Sequence, residues 1–250
     1  MLRSRIIPCL LMHDGGLVKT RQFKDPKYVG DPLNAVKIFN EKQVDELMFL
    51  DIDATVHGRS PDLALLRNLA GESRMPLCYG GGIASAGQAA QIISLGFEKV
   101  SISSAAIKRP ALIREMAQAI GGQSVVVTLD VRRNRLLGGY SLFTHNGEER
   151  HKIDWLEFCQ QAVELGAGEI VINVIDRDGE MQGYDLELAR KVRATVSTPL
   201  TLLGGAGDVK HMQELIDAVG VVGAAAGSMF VFKGPYRAVL INYARPERLR

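Results

Sequence analysis

Asp51, Asp130 and Asp176 each close a short apolar run, the position from which a carboxylate leaving a sheet can act as general acid or base. Asp130 follows the unbroken run Val125-Val126-Val127-Thr128-Leu129 and is the leading candidate; a buried structural aspartate is the alternative for each of the three. Glycines and serines stand at similar places. Glycine at a strand end lets backbone N–H groups approach an anion closely, and a hydroxyl adds a donor. Gly81, Gly82, Ser103 and Ser104 therefore make one candidate phosphate cradle, and Gly205, Gly207, Gly227 and Ser228 a second. Two cradles facing each other would suit an elongated ligand with a phosphate at each end, unless the glycines only make tight turns.

Such residues need a frame that brings strand ends together. Eight β-branched or apolar runs, at 5–11, 46–53, 77–81, 99–104, 124–132, 169–176, 199–205 and 221–228, alternate with stretches of helical period such as 32–44, 61–71, 110–120 and 186–196. Several of these stretches open with proline, whose fixed φ suits a first turn. Eight βα units in 250 residues predict one (β/α)8 TIM barrel, an α/β fold whose working residues lie at the C-terminal strand ends. An open doubly wound sheet should show a single Gly-x-Gly-x-x-Gly fingerprint and no internal symmetry. Symmetry is present: Leu50-Asp51-Ile52-Asp53 recurs as Ile175-Asp176-Arg177-Asp178, Gly80-Gly81-Gly82 as Gly204-Gly205-Ala206, and Ser104 as Ser228, all at offsets of 124–125 residues. The chain reads as two half-barrels, about 1–121 and 122–250.

The opposite end of the predicted barrel carries Arg5, Glu46, Lys99 and Glu169, each at the start of a strand. Alternation along the strands points Arg5 and Lys99 down the axis. Interior charges are costly unless paired, and two cations with two anions can pair completely. Such a ring could plug the floor or gate a central passage lined by slim side chains such as Cys9, Ser101 and Thr128; physics alone favours the plug.

Composition narrows the partners. A net charge of +2 without single-sign blocks argues against nucleic acid. The absence of a long apolar run or a signal-like start argues against a membrane and for a cytoplasmic location. Cys9, Cys78 and Cys159 lack ligand spacing and read as buried thiols. The five histidines share no ligand spacing either, so neither metal nor cofactor is expected. Asn146-Gly147 predicts a small hairpin after strand five, and Trp155 reads as a packing residue.

The motifs Arg-Ile-Ile-Pro-Cys-Leu (5–10), Asp-Glu-Leu…Leu-Asp-Ile (45–52), Gly-Gly-Gly-Ile (80–83), Glu-Lys-Val-Ser-Ile (98–102), Asp-Arg-Asp-Gly (176–179), Gly-Tyr-Asp (183–185) and Gly-Gly-Ala-Gly (204–207) resemble, over essentially the whole chain, the HisF cyclase subunits of imidazole glycerol phosphate synthase. The resemblance implies a histidine-biosynthesis lyase subunit that docks a HisH glutaminase on the strand N-terminal face and takes ammonia along the barrel axis to a bisphosphate. It makes the ring of Arg5, Glu46, Lys99 and Glu169 an ammonia gate and puts Glu98 at the glutaminase interface. It also places Lys19 on a mobile substrate loop, and Asp178 and Gly179 among the phosphate-binding residues.

Departures qualify this. The family cyclase carries acid and base aspartates at the ends of strands one and five; Asp130 is the second, and Leu11 stands in place of the first. Ser103 replaces an Asn and Leu203 a Ser. Leu10-Leu11, Gly-Leu-Val-Lys-Thr (16–20), Asp-Pro-Lys-Tyr-Val-Gly-Asp-Pro (25–32) and Leu-Cys-Tyr-Gly-Gly-Gly (77–82) are similar to HisF-like paralogues of bacterial surface-polysaccharide (O-antigen) clusters. Those work with a HisH-like glutaminase and an ATP-dependent sugar amidotransferase that installs an amidino group. On that resemblance the expected role is ammonia delivery in a glutamine amidotransferase system, with cyclase activity in doubt. The alternatives are a histidine-pathway cyclase with altered acid chemistry and an unrelated phosphosugar barrel.

Overall fold

The computed structural model describes residues 3–134 and 138–246. Eight parallel strands close into a barrel: Arg5–His13, Leu47–Asp51, Leu77–Gly80, Lys99–Ile102, Val125–Arg133, Glu169–Val174, Leu200–Leu203 and Gly223–Ala226. Each pairs with the next, and the eighth returns to the first with Arg5 opposite Gly223. This is the (β/α)8 architecture expected from the alternating runs. Helices between the strands bury one face on the barrel wall. Asp31, Asp62, Ser85, Asp154, Asp185 and Asp208 cap six of them, each side chain accepting a first-turn N–H. Among the prolines expected to open helices, Pro32 lies inside the first turn, whereas Pro61 precedes the cap Asp62.

Two hydrophobic clusters result. The larger fills the space between strands and helices. The smaller lies inside the barrel and contains Ile7, Cys9, Met48, Cys78, Val126, Val171, Leu203 and Ala225, with Leu11 and Leu50 packed against it. All three cysteines are buried free thiols.

Most strands end earlier than the apolar runs suggested, at glycines such as Gly81 and Gly204 or where a polar side chain turns the chain. Strand two stops at Asp51, whose Oδ1 accepts the N–H groups of Asp53 and Ala54, both at 3.0 Å. Strand six stops at Val174, and Asp176 lies in the following 3-10 turn. Strands one and five run longer. Strand one continues to His13 and folds back through Asp14 and Gly15, both at positive φ, into an antiparallel hairpin of Gly16–Arg21 and Lys24–Gly30. Lys19 therefore sits on a strand and is buried, not on an open loop. After strand five, Tyr140–Thr144 and Glu149–His151 form the hairpin signalled by Asn146-Gly147, with His145, Asn146 and Gly147 all at positive φ. Trp155 is buried and meets Tyr140 edge-on at 5.9 Å. No helix of the described residues is long and apolar enough to cross a membrane.

Candidate functional site

At the strand N-terminal end, Arg5, Glu46, Lys99 and Glu169 converge into one closed network. Arg5 Nη2 donates to Glu169 Oε1 at 2.7 Å, and its Nη1 donates to Glu46. Lys99 Nζ bridges the same two carboxylates, at 2.8 Å from Glu46 Oε2 and 2.9 Å from Glu169 Oε2. Thr201 on strand seven adds a hydroxyl to Glu169 Oε1 at 2.5 Å. Burial alone would push the Glu169 carboxyl up, but Lys99, Arg5 and the hydrogen bonds from Arg5 and Thr201 hold it well below the usual range. Each charge has its partner, which is what makes a charged layer tolerable inside a barrel. Glu98 is exposed beside it.

Above this floor the interior is apolar through Cys9, Met48, Cys78, Val126 and Val171. Next comes one polar contact, Ser101 Oγ to Thr128 Oγ1 at 2.6 Å. The mouth begins with Asp130, two residues further along strand five.

The mouth holds two cavities of very different size. The larger, about 940 Å3, is lined by Gly81, Gly82, Ser103, Ser104, Asp51 and Asp130, the whole first cradle with two of the candidate carboxylates. Gly81 and Gly82 are at φ +128° and +69°, and a Cβ on Gly81 would strike the Asp51 carbonyl at 2.5 Å, so side chains are excluded there. Burial pushes the Asp130 carboxyl up to about 7, an amide hydrogen bond from Asn173 pulls the other way, and the charge of Asp178 adds to the rise. A carboxyl titrating near neutrality can hold or release a proton at working pH. Leu11 lines the same cavity and supplies no second proton-transferring group.

The smaller cavity, about 30 Å3, is lined by Gly179, Gly205, Gly227, Ser228, Asp178 and Lys19. Lys19 and Phe23 of the strand-one hairpin line one side of it. Lys19 Nζ lies against Gly227 and donates to the Cys9 carbonyl. Burial lowers the Lys19 ammonium, with Cys9 and Asp178 acting in the opposite direction. Asp178 Oδ2 accepts the Thr20 hydroxyl at 2.6 Å and the Phe23 N–H at 3.2 Å, fixing the hairpin over the mouth. Arg237 reaches in from the C-terminal segment, donating to Ser228 Oγ and the Gly179 carbonyl, each at 3.3 Å. The single elongated cleft suggested by paired cradles is thus divided, with Leu11, Phe23 and Asn173 lining both parts.

Two candidates lie elsewhere. Gly207 lines neither cavity; its N–H donates to His211 Nδ1 at 3.1 Å. Asp176 also lines neither, and its Oδ2 accepts the Arg133 N–H at 2.6 Å, tying the 3-10 turn to the end of strand five. Asp51 does line the large cavity, but one of its oxygens is committed to the turn described above.

Other mouth residues were invisible to spacing arguments. His13 Nδ1 is 2.7 Å from Asp53 Oδ1, and Asp14 completes a cluster whose potential ligand atoms lie within 4.8 Å of one another. Arg59 stands 3.5 Å from the same Asp53, and the hydrogen bond to Asp53 raises the His13 imidazole. The Asp14-Gly15 pair was the available signal, since Asp-Gly between apolar runs favours a tight hairpin.

With this geometry in view, the likeness to known proteins is specific. A family model described as "Histidine biosynthesis protein" matches residues 5–236. The chain is 55% identical over 247 residues to a Vibrio vulnificus (strain YJ016) protein provisionally named imidazole glycerol phosphate synthase subunit hisF3, covering 99% of this chain and 95% of that one. It is 49% identical over 249 residues to the similarly named hisF2 protein of Pseudomonas aeruginosa, covering 100% and 99%. To the imidazole glycerol phosphate synthase subunit HisF of Thermobifida fusca (strain YX) it is 41% identical over 235 residues, covering 92% and 91%. Near full-length coverage at these identities, on a (β/α)8 barrel, shows that the chain belongs to the HisF family of imidazole glycerol phosphate synthase subunits.

Proposed function

We propose that this protein is a HisF-like subunit of a glutamine amidotransferase system: it receives ammonia from a HisH-like glutaminase and delivers it at the opposite mouth without closing a ring itself. The observation that carries the proposal is the pairing of a complete floor with an incomplete mouth. Arg5, Glu46, Lys99 and Glu169 close the floor, whereas Leu11 lines the reaction cavity with Asp130 where the strand-one acid/base aspartate would stand. An isobutyl group transfers no proton, and loss of one acid/base partner commonly lowers a rate by about 10² to 10⁴.

The glutaminase docks on the strand N-terminal face, with Glu98 and Lys99 at the contact. The ion-pair ring excludes water and cations until it rearranges, and the apolar layer above it favours neutral ammonia over ammonium. Gly81, Gly82, Ser103 and Ser104 hold a phosphorylated small molecule over the exit. Gly179, Gly205, Gly227 and Ser228, with Lys19 and Asp178, form a second anion site that opens when the strand-one hairpin lifts. The final acceptor is an acetamido sugar on an ATP-dependent amidotransferase, giving an amidino sugar of surface polysaccharide; the 10–11, 16–20, 25–32 and 77–82 motifs support that assignment. The second reading, a histidine-pathway cyclase, draws on Asp130 and on the 41% identity to the Thermobifida HisF subunit.

Co-expression with HisH-like glutaminases followed by size-exclusion chromatography tests the proposal. It requires a stable heterodimer in which the barrel raises glutamine hydrolysis. A barrel that neither co-elutes with any such glutaminase nor changes its rate refutes it.

A further inference from the structure

Asn173 stands on strand six directly opposite Asp130 in the parallel register. It is only 6% exposed, yet it lines both mouth cavities. Its Nδ2 donates to Asp130 Oδ1 at 2.9 Å, so the amide orientation is set by the carboxyl. Its Oδ1 is buried and has no hydrogen-bond partner among the described residues. A buried amide carbonyl left unpaired loses its hydration without replacement, and native interiors rarely keep one without reason. The same holds for the Ser103 hydroxyl, which lines the larger cavity and is likewise unpartnered.

The surroundings restrict what can satisfy these atoms. Below lie the mutually paired Ser101 and Thr128 hydroxyls and then the apolar layer of Cys9, Cys78, Val126 and Val171, and Leu11 and Leu50 line the larger cavity. Other polar groups nearby are already engaged, the Ser101 and Thr128 hydroxyls with each other and Lys19 Nζ with the Cys9 carbonyl, which leaves two acceptors on neighbouring strands, the Asn173 carbonyl and the Asp130 carboxyl, with one rotatable hydroxyl at Ser103. A small molecule rich in N–H donors matches that set, whereas an anion does not, because carbonyl and carboxylate both repel it.

We infer that Asn173 and Asp130, assisted by the Ser103 hydroxyl, form a docking point for a single small amine of the ammonia class at the upper end of the barrel interior. Asn173 is a positioning residue: its NH2 fixes Asp130 while its carbonyl accepts an N–H of the arriving nitrogen. The inference rests on the ammonia-delivery reading for its meaning, but it concerns a binding event the isolated barrel can display.

The test is NMR of the full-length barrel, with the Asp130 carboxyl and the Asn173 side-chain amide labelled, titrated with ammonium chloride. Sodium chloride and tetramethylammonium chloride at matched ionic strength serve as controls, since the latter has the charge without N–H groups. The expected result is a saturable shift of both signals with ammonium alone. Asn173→Leu should weaken the Asp130 response at least tenfold, and Asn173→Thr, whose hydroxyl can both donate to Asp130 and accept, should retain most of it. Equal responses to tetramethylammonium, no saturable response to ammonium, or an unchanged response in Asn173→Leu with Asn173→Thr folded as the reference would overturn the inference. Because no glutaminase is present, those outcomes leave the heterodimer test standing on its own.

Discussion

Ser101 Oγ and Thr128 Oγ1 lie 2.6 Å apart on adjacent strands, above the apolar layer that covers the charged floor and two residues before Asp130 on strand five. They form a polar waist in an otherwise apolar interior. Each is the other's partner, which spares two buried hydroxyls the cost of desolvation.

Ser101→Leu should block that waist. The substitution overpacks the interior at a cost of about 1–3 kcal/mol. In the complex, glutamate should still form from glutamine while the ammonia appears in bulk solvent instead of at the mouth. With the amidotransferase and its sugar acceptor present to consume delivered ammonia, a coupled assay for free ammonia against glutamate measures the ratio, and an unchanged ratio would show that the axis is not the route.

Lys99→Ala leaves Glu46 and Glu169 sharing Arg5 alone. Removing one partner from a buried charge network costs about 3–5 kcal/mol. The thermal midpoint should fall by roughly 10 °C for a chain of this size. A loss near 1 °C would mean that water already screens the floor.

The pH dependence of stability should report Asp130. Its folded-state carboxyl is raised to about 7 from the ordinary 3.8, so the folded protein keeps a proton that the unfolded chain releases. Stability is therefore lost as pH rises between those values, by at most roughly 4 kcal/mol and by less here because the side chain meets the cavity. Asp130→Asn cannot ionise. Urea unfolding at pH 5 and pH 8 should show the variant gaining about 1–2 kcal/mol on the unmodified protein between the two; no pH-dependent gain would mean that Asp130 titrates as an ordinary carboxylate.

Asp178→Ala removes the acceptor of both Thr20 Oγ1 and the Phe23 N–H. Two lost hydrogen bonds, at about 0.5–1.5 kcal/mol each, should raise opening of the Gly16–Gly30 hairpin by roughly tenfold or more. Trypsin cleavage at Arg21 and Lys24 would follow that opening, and unchanged cleavage would show that the hairpin is held elsewhere.

The barrel was legible in sequence because alternation of apolar runs and helical periods is a long-range pattern that local exceptions do not disturb. The floor was legible for a related reason: Arg5, Lys99 and Glu169 start their strands, Glu46 stands one residue before its own, and strand alternation has one phase. The mouth was less so. Asp176 follows an apolar run just as Asp130 does, and only the 3-10 turn at Ile175–Arg177 separates their fates. Lys19 belongs to a hairpin whose Lys24–Gly30 strand is almost wholly polar or exposed, so no alternation marks it. Asn173 gave no signal, since a polar residue inside the run Ile170–Val174 acquires meaning only from its neighbour on strand five. Gly207 and Gly205 are alike in sequence, and the N–H of Gly207 is spent on a histidine from the next helix.

The central claim is that ammonia passes through this barrel but is not built into a ring by it. Turnover of the histidine-pathway bisphosphate intermediate with free ammonia tests it most directly, because neither the glutaminase nor the axial route is then needed. The account predicts turnover far below ordinary enzyme rates for the unmodified protein, with partial recovery in Leu11→Asp, where a carboxyl again shares the cavity with Asp130. Steady turnover of roughly 1 s⁻¹ or more by the unmodified protein would contradict it and establish a cyclase that works without the first aspartate.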